Sequence, residues 1–180
     1  MRGARVVLLA VLFPCTVGLS QALTRPTASA AFSGSLVLPA DSHTETSIGG
    51  SVELELLVSR SFSAGAIAGH WSGKSDFDKD STVTYFLGVV THRWGAGKWR
   101  PFVQVGGGFY ILKFQFQSRS RVSPSETETV GGGFAGPGVD YVLSSNSALE
   151  LRARYHLVSD ATGSVHPDFL ETQVGFRVFF

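Results

Sequence analysis

Cysteine is nearly absent from this 180-residue chain: the single one, Cys15, lies near the N-terminus, so the remainder forms no disulfide and offers no thiol to a metal or to nucleophilic catalysis. Charge is scarce as well, with 16% Asp, Glu, Lys and Arg against roughly 25% in soluble domains. No surplus of one sign exists either, since 15 basic residues face 14 acidic ones, which leaves no basic face to argue for nucleic acid. Long apolar runs are missing too. The stretch from Val6 to Phe13 is far shorter than the roughly twenty residues a spanning helix needs. His43, His70, His92 and His166 are dispersed without metal-ligand spacing. What the chain does have is glycine (21 residues), phenylalanine (14) and an aromatic content of 12%. Apolar and turn-forming residues in excess, with little charge, point to β structure in an unusual solvent.

The N-terminus has the form of a secretory signal. Arg2 and Arg5 make a basic region, Val6 to Phe13 an apolar one, and Ser20-Gln21-Ala22 supplies small residues for cleavage after Ala22. Residues 1–22 are therefore expected to be a signal peptide, 23–29 a short linker and 30–180 one folded domain. Cys15 has the position of a lipid-accepting cysteine with Leu12 three residues upstream, but Phe13 and Pro14 are bulky where a small residue is needed, so it reads as part of the leader. Loss of Arg2 and Arg5 leaves 13 basic against 14 acidic side chains, close to neutrality.

Beyond Ala31 the apolar pattern has period two, broken by turn-rich clusters into eight expected strands at 31–38, 47–59, 62–71, 81–92, 99–116, 127–142, 147–158 and 169–180. In the seventh, Leu149, Leu151, Ala153, Tyr155 and Leu157 share one face, opposite Glu150, Arg152, Arg154 and His156. A helix would set Leu149 beside Arg152, so the helical reading fails. In the eighth, Leu170, Thr172, Val174, Phe176, Val178 and Phe180 lie opposite Glu171, Gln173, Gly175 and Arg177. Val52, Leu54, Leu56 and Val58 lie opposite Glu53 and Glu55 in the second. The glycine runs 106–108 and 131–133 obscure parity in their strands; they suit a sharply bent small barrel, and no Gly-Lys-Ser/Thr follows them as a phosphate loop requires. Long polar connections (39–46, 72–80, 117–126, 159–168) alternate with tight joins near Arg60, Gly95-Ala96-Gly97 and Ser144-Ser145-Asn146. The expected fold is an all-β, eight-stranded, antiparallel up-and-down barrel.

Alternation alone does not say which face is outside. A soluble lipocalin-like, ligand-binding barrel would put Leu, Tyr and Phe in its lumen. Three features favour apolar residues outside, facing lipid. A strand of about ten residues tilted about 40° spans on the order of 25 Å, the height of an outer-membrane apolar band. Aromatic residues gather at strand ends as an interfacial girdle would: Trp94 and Trp99 about one turn, Trp71, Tyr110, Tyr155 and Phe169 towards the other rim. The last residue, Phe180, falls on the apolar face of its strand.

The segment from Phe169 through Gln173, Phe176, Val178 and Phe180 resembles the terminal signature of bacterial outer-membrane barrels, and Gly136-Pro-Gly-Val-Asp-Tyr141 with Ala148 to His156 resembles the penultimate hairpin of small barrels similar to the transmembrane domain of OmpA. The resemblance implies location in the outer membrane of a Gram-negative cell envelope, both termini periplasmic and a monomer in contact with membrane lipid and lipopolysaccharide. It also implies assembly by the barrel-assembly machinery through Phe176, Val178 and Phe180. It implies no activity, because this fold hosts many unrelated roles, and the peptidoglycan-binding domain of the longer members is not expected.

In so narrow a barrel Glu53, Glu55, Glu150, Arg152, Arg154, Glu171 and Arg177 are expected to meet as a lumen charge cluster, a plug of ion pairs or else a narrow ion path. No cofactor, metal ligand or catalytic residue is assigned. The enzymatic alternative is a lipid A deacylase built on the same barrel, which Tyr155 to Ala161 loosely resembles; its Ser/His pair has one intervening residue, whereas His156 and Ser159 are three apart and on opposite faces of a strand. Asp76, Asp78 and Asp80 read as a solvated loop, since Lys79 intrudes and the glycine and distal glutamate of a calcium-binding hand are missing. The role expected is structural or surface-interacting.

Overall fold

The computed structural model describes residues 27–39, 46–59, 61–75, 79–118, 121–122, 126–159 and 168–180. The leader with Cys15, Asp76, Asp78, His43, His166 and most of the long connections lie outside the described residues. The described chain forms strands β1 (Ala28–Pro39), β2 (Ser47–Leu57), β3 (Phe62–Ser75), β4 (Lys79–Arg93), β5 (Trp99–Ser118), β6 (Arg121–Val122), β7 (Glu126–Ser144), β8 (Ser147–Val158) and β9 (Phe169–Phe179).

Eight of these close an antiparallel barrel in the order β4-β3-β2-β1-β9-β8-β7-β5, sealed by a β4–β5 ladder from Lys79↔Phe116 to Arg93↔Phe102. The two-residue β6 pairs with the end of β5 through Gln117↔Val122 and Ser118↔Arg121. Neighbouring strands are joined by hairpins, and the one distant closure is β1 on β9, from Ser29↔Phe179 to Pro39↔Phe169. Closure leaves none of the eight barrel strands with a free edge, and the ladders run round the barrel with an irregularity on β7 between Val142 and Ser144.

Several strands outrun their apolar patterns. β3 continues to Ser75, β4 starts at Lys79, and β5 and β7 reach Ser118 and Glu126. Lys, Ser, Gln and Thr there carry no apolar period, yet the ladder continues because backbone hydrogen bonds do not depend on which residues flank them. β1 likewise begins at Ala28, inside the span expected as linker, where Ala28 pairs with Leu56 and its N–H donates to Phe180 O.

The two faces are unambiguous. Glu53, Glu55, Glu150, Arg152, Arg154, Glu171 and Arg177 are all buried, while Leu54, Leu56, Leu149, Leu151, Leu157, Val174 and Phe176 are exposed. Greasy side chains form the outer wall, and all seven of these charges lie inside. This excludes the lipocalin-like alternative, which requires the inverse.

The glycine runs pair with one another, Gly107↔Gly133 and Gly108↔Gly132. Where such glycines point inward, aromatic rings lie over them. A Cβ at Gly106 would stand 2.4 Å from the Phe134 ring, at Gly132 2.8 Å from Tyr110, and at Gly69 2.1 Å from Tyr85. Missing side chains on one strand thus create the space that a ring from another fills. Among the described residues Gly95, at φ +84° in the β4–β5 turn, is the glycine whose own backbone conformation requires it.

Candidate functional site

The polar half of the interior is built by the alternation of β2, β8 and β9, which aims every second side chain at the axis. Glu53 on β2 is its hub. It accepts hydrogen bonds from Arg152 Nη1 at 2.5 Å, from Arg177 Nη2 at 2.6 Å, from Gln104 Nε2 at 3.0 Å and from Arg154 Nη2. Arg177 also reaches Glu150 (Nε to Oε2, 2.8 Å) and Glu55 (Nη1 to Oε2, 2.7 Å). Glu150 in turn pairs with Arg152 at 2.8 Å. Arg154 donates from Nη2 to Gln104 Oε1 at 2.8 Å, and Arg152 donates to Gln173 and, at 2.9 Å, to Ser33 Oγ.

Arg93 extends the network towards the short-turn end, donating to Glu55 at 2.7 Å, to Ser63 Oγ at 2.7 Å and to Asp140 at 3.1 Å. Five carboxylates (Glu53, Glu55, Asp140, Glu150, Glu171) therefore share the lumen with four guanidinium groups (Arg93, Arg152, Arg154, Arg177) and His156. Desolvation costs several kcal/mol per ion, and a network in which nearly every oxygen meets a donor is what makes such burial tolerable.

Above this layer His156 sits between two rings. Phe169 stacks on it at 4.3 Å and 11°, and Phe134 on its other side at 5.5 Å and 27°. Its Nδ1 meets Tyr110 Oη at 2.9 Å and its Nε2 meets Glu171 at 3.2 Å; Tyr85 Oη donates to Glu171 at 2.9 Å. Val37, Ile67, Trp71, Val83, Leu112, Val130 and Val158 continue this into an apolar plug. The lumen is filled twice, by ion pairs and then by packed rings and aliphatic groups.

The sequence-expected residues divide as follows. All seven of the charge cluster converge in the lumen. Phe176 and Phe180 are exposed on the outer wall, with Val178 half-buried beside them. Trp94, Trp99 and Tyr155 are exposed, with Trp99 packed on Tyr141 at 4.7 Å and Trp94 edge-on to His92 at 4.5 Å. Trp71 does not belong with them: it is 6% exposed, inside the barrel, with its edge towards Phe169 at 5.5 Å. Tyr110 and Phe169 are interior as well. The cause is local, since alanine and glycine occupy both faces of β3 and leave no parity to read, and the Trp71 Cβ lies over Gly49, 2.5 Å from where a Cβ of residue 49 would stand.

The deacylase pair does not form. His156 is buried, whereas Ser159 is exposed and donates to Gly131 O, so nucleophile and base make no contact. Among the described residues no group of three or more His, Cys, Asp or Glu is placed to hold a metal ion. The sequence placed Gln173 on the polar face of the last strand without giving it a role, set Tyr110 at the rim, and carried no signal for Arg93, Asp140, Gln104 or Tyr85. Arg93 ends β4, while Gln104, Tyr110 and Asp140 lie in β5 and β7, whose parity the glycines hide.

Comparison with solved structures follows from this geometry. The neisserial surface protein NspA matches with a TM-score of 0.67 at 12% identity, over 86% of this chain and 97% of that one. This chain has the fold of the small eight-stranded outer-membrane barrels. OprG of Pseudomonas aeruginosa (TM-score 0.59, 11% identity, 87% of this chain and 97% of that one) and Ail, the attachment invasion locus protein of Yersinia pestis (0.55, 12%, 87% and 99%), share the same outer-membrane barrel architecture. Neither a scan against protein-family models nor a search of curated proteins finds a match. At such identities the likeness concerns backbone architecture, and the side-chain network belongs to this chain.

Proposed function

We propose that the protein is a non-catalytic barrel of the bacterial outer membrane, serving envelope structure or surface interaction through its loops and outer wall. The observation that carries this reading is the pairing of an apolar exterior with a filled interior. An exterior bearing Phe32, Leu54, Phe86, Phe109 and Leu151 at 51–65% exposure is costly in water and suited to hydrocarbon. An interior occupied by ion pairs and then by an aromatic plug argues against the channel reading. The surfaces that remain for a partner are the long connections and the wall itself.

In this reading the short turns and both termini face the periplasm. The barrel inserts as a monomer among outer-membrane lipid and lipopolysaccharide, with residues 1–22 removed on export. The outward triad Phe176, Val178 and Phe180 is the strip offered to the barrel-assembly machinery, and Phe180 O accepts from the N–H groups of Thr27 and Ala28 as the closing strands zip together. The test is electrophoresis of the membrane fraction with and without boiling. A closed, inserted barrel migrates faster unheated and requires detergent for extraction; recovery from the periplasm without detergent overturns the proposal.

A further inference from the structure

Charge is distributed unevenly between the two ends of the barrel. The short joins, 57–62, 93–100 and 142–147, contain no Asp or Glu, and their charged residues are Arg60, Arg93, Lys98 and Arg100. Every Asp or Glu outside the lumen falls, in sequence, in the long connections or the strand ends that flank them, from Asp41 in the first to Asp168 in the last. The short joins are thus basic, and the long connections hold the acids.

The β4–β5 turn concentrates this positive charge, and its neighbours fix its place. Trp94 N–H donates to Pro101 O at 2.9 Å, and Val142 N–H donates to Lys98 O at 2.8 Å, which ties the turn to β7. Lys98 is exposed. Arg100 stands directly opposite Asp140 in the β5–β7 ladder, but that carboxylate is held by Arg93 at 3.1 Å. Arg100 instead donates from Nε to Gly97 O at 3.4 Å, which folds its guanidinium back over the turn. Among the described residues no carboxylate pairs with Lys98 or Arg100.

Aromatic rings flank the turn on both sides, all on the outer wall. Trp94 stands edge-on to His92, whose other neighbour is Phe62 at 4.3 Å, and Trp99 packs on Tyr141. Both indoles are exposed. Rings with an apolar body and a polar tip settle where hydrocarbon gives way to headgroups, so the two cations between them stand at headgroup depth.

We propose that the β4–β5 turn seats the phosphate of an anionic phospholipid in the periplasmic leaflet, with Lys98 and Arg100 as its cationic contacts and the Trp94 and Trp99 rings against the upper part of the lipid. The inference rests on the membrane-barrel reading and its orientation, which bring the short turns to that leaflet. Charge complementarity selects the headgroup. Each Lys or Arg near an anionic leaflet favours binding about fivefold, and no Asp or Glu within the turn offsets it.

The experiment is tryptophan quenching in phosphatidylcholine vesicles that hold the barrel. Phosphatidylglycerol or zwitterionic phosphatidylcholine, brominated on the acyl chains, is added in increasing mole fraction. Trp71→Phe removes the interior fluorophore so that Trp94 and Trp99 report, and heat-modifiable migration verifies the fold of every sample. Brominated phosphatidylglycerol is expected to quench at about tenfold lower mole fraction than brominated phosphatidylcholine. Lys98→Gln and Arg100→Gln are each expected to lower that preference about fivefold and together to remove it, whereas Lys98→Arg keeps it. Lys113→Gln, an exposed cation near the opposite rim, is expected to change nothing. Parental preference in the double variant, or an equal loss in Lys113→Gln, overturns the proposal. Binding of the parent to isolated peptidoglycan that the double variant loses, without any lipid preference, overturns it in favour of a cell-wall anion. Equal quenching by both lipids defeats the seat alone; no quenching by either, with no gel shift, defeats the membrane reading as well.

Discussion

Asp140 and Glu150 stand directly opposite each other across the β7–β8 ladder, both turned into the barrel and both buried. Like charges so placed repel. They are held by different cations, Asp140 by Arg93 at 3.1 Å and Glu150 by Arg177 at 2.5 Å, so the lumen binds its carboxylates through interleaved arginines.

The carboxylates are consequently unequal. Glu53 meets three arginines, whereas Asp140 meets one and keeps Oδ1 without a hydrogen bond. Glu53→Gln is expected to destabilise the barrel by about 3–5 kcal/mol, because it strands buried guanidinium groups. Asp140→Asn is expected to cost much less, since it also relieves the repulsion from Glu150. Urea unfolding in lipid vesicles measures both; equal losses would contradict the hub assignment.

Gly69 and Tyr85 are matched in size. Gly69→Ala brings a methyl within 2.1 Å of the Tyr85 ring and is expected to cost about 1–3 kcal/mol by overpacking. Tyr85→Val makes room, so the double variant should recover part of that loss relative to Tyr85→Val alone. Additive effects in a double-mutant cycle would show that the ring does not lie over the glycine.

The orientation of β8 is open to a direct test near mid-barrel. Leu151→Arg places a charge on the outer wall and is expected to destabilise the protein in a bilayer by about 2–4 kcal/mol. Unchanged stability in vesicles would mean that this wall does not face hydrocarbon.

The filled lumen has an electrical consequence. Reconstituted into a planar bilayer, the barrel is expected to give no steps of porin size, since the ion-pair layer and the plug around Trp71, His156 and Phe169 close it in series. Sustained large steps would require another arrangement of these groups.

How much of this was legible in the chain depends on the strand. In β2, β8 and β9, charged and greasy residues alternate without interruption, and a period of two cannot be kept by a helix, so strand, face and the identity of the seven lumen charges all followed from the residues themselves. Export also followed, as an expectation, from the basic and apolar leader. In β3, β5 and β7 small residues occupy both faces, and parity carries no signal; Trp71, Tyr110 and Gln104 acquired their side only when neighbouring strands fixed the register. Which carboxylate meets which arginine is likewise a tertiary fact. Glu53 and Arg177 are 124 residues apart, and only closure of β1 on β9 brings their strands around one axis. The outward row of Gly34, Gly50, His70 and Thr84 has the same origin, because these residues are scattered in the chain and become one rung through three ladders. Alternation is a property of a single strand and can be read along it; register belongs to pairs of strands, and the sequence of either one does not contain it.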